Sequence, residues 1–431
     1  MSILKQLNDF LWSLPLLVLL MSTHIYFTIR LHFPQRHLLY AIKLSMGKAD
    51  NEGQNLSPFS ALATTLAATL GTGNIIGVST AVALGGPGAV FWCWITGILG
   101  MATAYSECYL SVLFRHRRAD GAYVGGPMYV LKNGLHNNFL GGIYAICTLF
   151  AAFGVGCTTQ ANSVTQAAAA TFHLSPHLVG ITLAFLTGTV ILGGVKSIAN
   201  LCERMVPAIS FVYLFGCLLL LVLCYKQVPA AISLILRDAF SFTSVTGGVV
   251  GSTLQHAVRY GIARGLFTNE AGIGTSAIAA AASHTPSPRI QAYVSMTAVF
   301  WDTVVMCLIT GLVVVANMLY DPASVQHAAA TDLTAAAFSH LPYIGNAFLT
   351  ISLAAFAITT LIGWSYFGEK ATEYLMGNKG IPYYKLSYIL MIYFGAIIPM
   401  NLVWECTDLI NAFMVLPNVL ALFLLRKHIK P

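Results

Sequence analysis

The sequence predicts an all-α polytopic membrane protein, and three observations carry that prediction. Hydrophobic residues make up 57% of the 431 residues and charged ones only 9%, a balance far from that of a soluble globular domain. Eleven apolar stretches are long enough to cross about 30 Å of hydrocarbon, which takes roughly 20 helical residues. Two of those stretches are interrupted by polar residues and glycine at a depth where a helix has every reason to continue.

In chain order the expected spans are 10–28, 58–84, 87–113, 138–170, 177–194, 205–225, 247–283, 288–317, 341–366, 385–400 and 402–425. The first follows Lys5 with no small-residue cleavage pattern behind it, so it reads as a retained helix and not a signal peptide. The nine cysteines stand singly in apolar stretches, without the spacing of a zinc site or a disulfide framework. With the N-terminus outside and the C-terminus in the cytoplasm, 17 Lys and Arg fall in inner loops. Only Lys5, Lys226 and Arg237 fall outside, and Arg259 and Arg264 lie within a span. That bias is what the positive-inside rule expects of a plasma-membrane protein. It accounts for the net charge of +7 without a nucleic-acid partner.

The first interruption lies in "ALATTLAATLGTGNIIGVSTAVAL": a half-helix, a break at Gly71, Thr72, Gly73 and Asn74, then a second half-helix. Backbone groups freed at membrane depth cost several kcal/mol each unless protein, water or a ligand satisfies them. Two readings of the glycines stand side by side. They let a neighbouring helix approach, as small residues do at membrane interfaces, or they open the backbone to a ligand. A dinucleotide fingerprint is excluded, because the third glycine, Gly77, comes one position late and no strand precedes it.

The second interruption, in "ARGLFTNEAGIGTSAIAAAA" at 263–282, falls five helices later at Phe267, Thr268, Asn269, Glu270, Ala271 and Gly272. Paired breaks at matching places in two five-helix halves point to a transporter built from inverted repeats. The expected division of the single transmembrane domain, 1–431, is an extra helix at 10–28, a first repeat at 58–225 and an inverted second repeat at 247–425. Glu107 follows Asn74 by 33 positions and Asp302 follows Glu270 by 32, each in the helix after a break. Intramembrane carboxylates are functional candidates by default, so Glu107, Glu270 and Asp302 are read with Arg264 as coupling or gating charges. The alternative for Glu107 and Asp302 is that each neutralises an intramembrane arginine such as Arg264 or Arg259.

The same break segments, with "YVGGPMYVLKNGL", "TTQANSV", "VFWDTVV" and "TTLIGWSYFGE", resemble the bacterial and archaeal alanine or glycine:cation symporter family from about residue 55 to 425. The resemblance implies a leucine-transporter-like fold, with the first and sixth core helices broken and one extra N-terminal helix. It implies symport of alanine, glycine or D-alanine with Na⁺. Near the second break the chain departs from the family pattern, with Thr268 and Thr275 for serines, Ala277 for a proline and Ala280 for a histidine. The threonines keep a hydroxyl; the other two changes alter the inner gate.

A small amino acid is a zwitterion, so a mid-membrane site needs something for each charge and little room for a side chain. The half-helix N-terminus at Gly71, Thr72 and Gly73 offers free N–H groups to a carboxylate. The half-helix ending at Leu266 to Thr268 offers carbonyls to the ammonium group. Valine at Gly73 is therefore expected to abolish transport by clash. The resemblance adds Asn74 and Gln160 as carboxylate or cation contacts, and Phe267, Thr268 and Asn269 as lining of the second break. Trp364 is either a wall of the side-chain pocket or an ordinary packed aromatic. The same resemblance implies that Thr359 and Thr360, with carbonyls from Ala67 to Leu70, are sodium ligands; the alternative is that each threonine bonds back to its own turn.

One co-moving cation supplies about 2.3 kcal/mol per 100 mV and about 1.4 kcal/mol for a tenfold ion gradient. Together they support roughly 500-fold accumulation of a neutral solute. The competing readings are proton coupling through Glu107, Glu270 or Asp302, and a solute channel. No nucleophile elbow, zincin motif or phosphate-binding loop is found, so neither an enzyme nor direct ATP use is expected, and no cofactor beyond Na⁺ as coupling ion.

Overall fold

Ser-Pro pairs open three of the helices. Ser57, Ser175 and Ser287 each accept a hydrogen bond from the backbone N–H three residues on, and the proline after each occupies the first turn, where its missing N–H costs nothing. A computed structural model describes residues 6, 10–12, 14–47, 55–241, 254–326, 328–398 and 400–431. Lys5, Lys48 and the first residues of the expected second repeat, 247–253, lie outside the described residues.

The expected extra helix is α1 (Leu14–Arg30). His32 and Phe33 take positive φ, Pro34 follows, and the chain turns by 65° into the short α2 (Leu38–Ser45), an element the apolar pattern does not announce. The first broken span is α3 (Pro58–Thr69) and α4 (Ile76–Gly85), bent by 60° across the glycines. Next come α5 (Ala89–Leu113) and a two-stranded hairpin of β1 (His116–Arg117) and β2 (Tyr123–Val124). A long rod follows, α6 (Asn138–Phe153) continuing through a π-helical turn at Gly154–Thr158 into α7 (Thr159–Phe172).

Helices α8 (Pro176–Leu192) and α9 (Gly194–Leu223) precede α10 (Val228–Ala239), which falls in an expected loop. The second break separates α11 (Leu254–Asn269) from α12 (Thr275–Ala281). Another rod, α13 (Pro288–Val299), passes through a π-helical stretch at Phe300–Cys307 into α14 (Leu308–Tyr320). Then come α15 (Leu333–Phe338), α16 (Gly345–Met376), α17 (Ile381–Ile397) and α18 (Met400–Leu424).

Five of these helices or rods are long and apolar enough to cross a membrane, or seven if each bent pair counts as one span. Eleven is therefore not reached on length and composition alone. Broken elements such as α11, with Arg259 and Arg264, lack a continuous apolar window. Packing positions the site: Ser60 to Thr69 of α3 are buried on every face, and Gly363 of α16 lies so close that an added Cβ would stand 2.7 Å from the Ala68 nitrogen. Small residues make that backbone approach possible.

Candidate functional site

The two breaks face one another. A Cβ added to Gly73 would lie 3.4 Å from the Thr268 hydroxyl and nowhere closer, an ordinary contact. At Gly71 an added Cβ would stand 2.7 Å from Thr360 Oγ1 and 3.3 Å from Gln160 Oε1. Gly71, and not Gly73, is thus the position where even a methyl group has no room.

Hydrogen bonds hold the first break open. The Gly71 N–H donates to Asn74 Oδ1 at 3.0 Å, and the Thr72 N–H points at Gln160 Oε1 at 3.4 Å. Asn74 in turn donates through Nδ2 to the Asp302 carboxylate at 2.8 Å and to the Asp302 carbonyl at 3.1 Å. The Thr303 hydroxyl donates to the other Asp302 oxygen at 2.7 Å. The π-helical stretch shifts the register of the rod locally, and such stretches recur at functional sites. Among the described residues no ion pair joins Glu107, Glu270 or Asp302 to a basic side chain. Arg264 lies 5.9 Å from the Phe267 ring and Arg259 5.5 Å from the Tyr260 ring.

Near Leu70, where α3 stops, oxygens converge. Thr360 Oγ1 lies 3.1 Å from the Leu70 carbonyl and 3.0 Å from the Phe356 carbonyl. Thr359 Oγ1 lies 2.8 Å from the same Phe356 carbonyl. Ala67 is buried one turn back in α3.

The second break has its own scaffold. Glu270 at φ 53°, Gly272 at 96° and Gly274 at 93° unwind the chain. Glu107 reaches in from α5, and its Oε1 accepts from the Gly272 N–H at 2.8 Å and from Asn418 Nδ2 at 2.6 Å. Asn418 also donates to the Gly272 carbonyl at 2.9 Å, and the Tyr144 hydroxyl donates to the Ile273 carbonyl at 2.8 Å. Thr275, which stands where the family pattern has serine, donates its hydroxyl to Glu270. Asn269 spends its Oδ1 on the Ala271 N–H at 3.0 Å, while its buried Nδ2 has no partner among the described residues. The Thr268 hydroxyl bonds back to the Arg264 carbonyl at 2.8 Å, as threonine commonly does within a helix. Trp364 is buried, its ring 5.6 Å from that of Phe367, and Gly156 of the π-helical turn at Gly154–Thr158 leaves the room its Cβ needs.

At one end a polar layer ties the two broken helices together. Arg115, just past α5, donates to the carbonyls of Ser283 at 2.5 Å and Thr285 at 2.9 Å, at the end of α12. Its guanidinium stacks 3.7 Å over the Tyr123 ring, and burial draws its pKa below the usual arginine value. The Leu56 N–H donates to the Ala282 carbonyl at 2.9 Å, so the start of α3 is joined to the same point. Arg118 pairs with Glu373 at 2.8 Å and Lys385 with Glu369 at 3.1 Å.

Several of these residues escaped the sequence reading. Asn418 is a lone amide in an apolar run beside Pro417, a signal that was present; Tyr144 and Gly156 carried none. Replacing Asn418 by leucine removes two donated bonds and leaves Glu107 with one. A loss of about 1–3 kcal/mol in stability is expected, read as a lowered melting temperature in detergent; an unchanged melting temperature would remove Asn418 from the scaffold.

The family model described as the sodium:alanine symporter family matches residues 1–430. The sodium/alanine symporter AgcS of Methanococcus maripaludis is 43% identical, the alignment covering 98% of this chain and 94% of that protein. A probable sodium/glutamine symporter of Bacillus subtilis, GlnT, is 36% identical over 97% of this chain and 87% of its own length. Among solved structures, a Na⁺-coupled sialic acid symporter in a substrate-bound outward-open state superposes with a TM-score of 0.60 at 12% identity, covering 95% of this chain and 87% of that one. That likeness is one of fold, the leucine-transporter-like architecture with broken helices.

Proposed function

The chain belongs to the sodium:alanine symporter family, and from that premise we propose that it imports a small neutral amino acid in step with Na⁺. Sodium-coupled amino acid symport is the activity of the family; alanine or glycine, with D-alanine among the candidates, is the substrate class we infer. The protein is a multi-pass membrane protein and a transporter, not an enzyme. The cytoplasmic C-terminus and the two inverted repeats, 58–225 and 247–425, belong to this reading.

The observation that carries it is the convergence at Leu70. The one hydroxyl proton on Thr360 is shared between the Leu70 and Phe356 carbonyls. Several oxygens around one shared proton suit a hard cation, which takes oxygen ligands in preference to softer donors. Thr360, Thr359, Leu70 and Ala67 would hold the sodium at the end of a half-helix, whose C-terminal carbonyls favour positive charge. A few residues away, the N–H groups at Gly71 and Thr72, which are not free as expected but taken by Asn74 and Gln160, are the donors that a substrate carboxylate would take over, with the Gly73 N–H beside them. In this reading Asn74 and Gln160 fix the geometry of that anion site. Carbonyls at the end of α11 take the ammonium group, and Phe267, Thr268, Asn269 and Trp364 bound the space for a side chain. Glu107, Glu270 and Arg264 act as coupling or gating charges, whereas Asp302, first read with them, orients Asn74 through its carboxylate. Alternating access requires the Arg115 layer to open once per cycle.

The test is uptake of labelled alanine into proteoliposomes under an inward sodium gradient, with an impermeant organic cation in a matched gradient as control. Accumulation above equilibrium with sodium only is expected. Sodium-independent uptake that collapses with the proton gradient would overturn sodium coupling, and purely downhill movement would mark a channel. Thr360→Val, nearly isosteric but without the hydroxyl, is expected to raise the sodium concentration for half-maximal uptake about tenfold, equivalent to ~1.4 kcal/mol. Thr360→Ser should restore most of it; an unchanged sodium dependence in the valine variant would move the cation elsewhere.

A further inference from the structure

The bend between α1 and α3 plays no part in that mechanism, yet its chemistry is unusual. From His24 to Gly47 the chain has three Lys or Arg, at Arg30, Arg36 and Lys43, three histidines and no acidic residue. α2 packs against α13 and α3 with Ala41 and Ser45 buried, while Leu39 is 83% exposed and Met46 71%. A short basic helix that turns sharply out of a span and leaves large apolar side chains without protein cover has the character of an interfacial helix.

Beside it opens a cavity of about 350 Å³, lined by His37, Tyr40, Arg289, Ile290 and Tyr293, none of them acidic. His37 and Tyr40 of the bend stand edge-on to the Tyr293 ring at 5.8 and 5.9 Å, and the Arg289 guanidinium lies 5.8 Å from the same ring. The basic C-terminal residues close on this corner as well. Tyr105, its ring 5.0 Å from that of Tyr293, donates to the Lys430 carbonyl at 3.0 Å, and Arg30 donates to the Arg426 carbonyl at 2.9 Å.

We propose that this cavity binds the phosphate headgroup of an anionic phospholipid, with Arg289 as the principal cation and the acyl chains lying along Leu39 and Ile290. The cavity supplies positive charge and hydroxyl or imidazole donors in one place. Basic pockets at the membrane interface bind such headgroups, with the attraction of each arginine or lysine adding to that of the surface. The apolar residues beside the cation distinguish a lipid from a free anion, which has no use for them.

The test uses the full chain purified in detergent and incubated with dioleoylphosphatidylglycerol or dioleoylphosphatidylcholine, with lipid adducts counted by native mass spectrometry. Wild type is compared with Arg289→Gln, with the His37→Gln Arg289→Gln double variant, and with Lys379→Gln, an exposed lysine elsewhere. Phosphatidylglycerol adducts should exceed phosphatidylcholine adducts and fall about fivefold in Arg289→Gln, the ratio expected for one interfacial arginine. The double variant should lose more and Lys379→Gln should match wild type. Equal retention of the two lipids by wild type, undiminished phosphatidylglycerol in the double variant, or an equal loss in Lys379→Gln would overturn the proposal. Displacement of the lipid by inorganic phosphate at the same concentration would assign the cavity to a free anion and overturn it equally.

Discussion

Replacing Gly71 by alanine is expected to cut sodium-driven uptake about a hundredfold, equivalent to ~2.7 kcal/mol in the rate-determining barrier, while the protein still inserts and purifies. The new Cβ would stand 2.7 Å from Thr360 Oγ1, closer than side-chain atoms tolerate. Thr360 relieves the clash by rotating, and rotation removes its hydroxyl from the Leu70 carbonyl. The steric change at the proposed substrate half of the break is thereby converted into damage at the proposed cation half. Gly73→Ala is the internal control, because its Cβ would meet only the Thr268 side chain, at 3.4 Å and beyond. A loss of no more than about threefold is expected there, under 1 kcal/mol. Uptake with labelled alanine, measured against sodium concentration for both variants, decides the matter. Equal activity of the two variants would mean that the space at Gly71 is not part of the transport path.

Asp302 gives the second large effect, and here two substitutions separate position from charge. The side chain is fully buried, with one oxygen taken by Asn74 and the other by Thr303. Asp302→Ala leaves both donors without their acceptor, although Asn74 keeps the backbone carbonyl at 3.1 Å. A stability loss of about 1–3 kcal/mol is expected, and uptake should fall at least tenfold as Asn74 loses its orientation and the first break loosens. Asp302→Asn keeps an oxygen for Asn74 and is expected to retain uptake within about threefold, with the same dependence on pH. An equal loss in both variants, or a flattened pH profile in the asparagine variant, would show that the charge or proton on Asp302 drives transport, and would revive proton coupling.

Much of the site could be read from local pattern. Gly71 to Asn74 and Phe267 to Glu270 stand out because glycine, amides and a carboxylate interrupt runs that are otherwise apolar, and such interruptions are costly unless they serve a cavity. Thr359 and Thr360 stand out through the family resemblance and not through local pattern, since threonine in a helix ordinarily bonds back to its own turn. The motif alone does not rank Gly71 against Gly73, whereas in the structure a Cβ at Gly71 would meet Thr360 and Gln160 more closely than one at Gly73 meets Thr268. The turn of the chain within the break decides which glycine points at α16, and no local pattern encodes that angle. The arginines raise a similar point. Charge balance made Arg259 or Arg264 natural partners for Asp302, but the carboxylate is held by Asn74, 228 positions away, and by its neighbour Thr303.

The sequence by itself determined the environment and the class of architecture. Composition demands a bilayer, and two polar breaks in apolar runs demand that the freed backbone groups be buried in protein or face a cavity, because hydrocarbon cannot pair them. Only the tertiary structure decided which groups meet: Thr360 with Leu70, Glu107 with Gly272 and Asn418, and Trp364 in the space left by Gly156. Those meetings depend on helix rotation, on two π-helical register shifts and on close backbone contacts between elements far apart in the chain. Desolvation acts on each segment through its own composition and so can be read locally, whereas hydrogen bonds and steric contacts of a few ångströms exist only once distant segments have been placed.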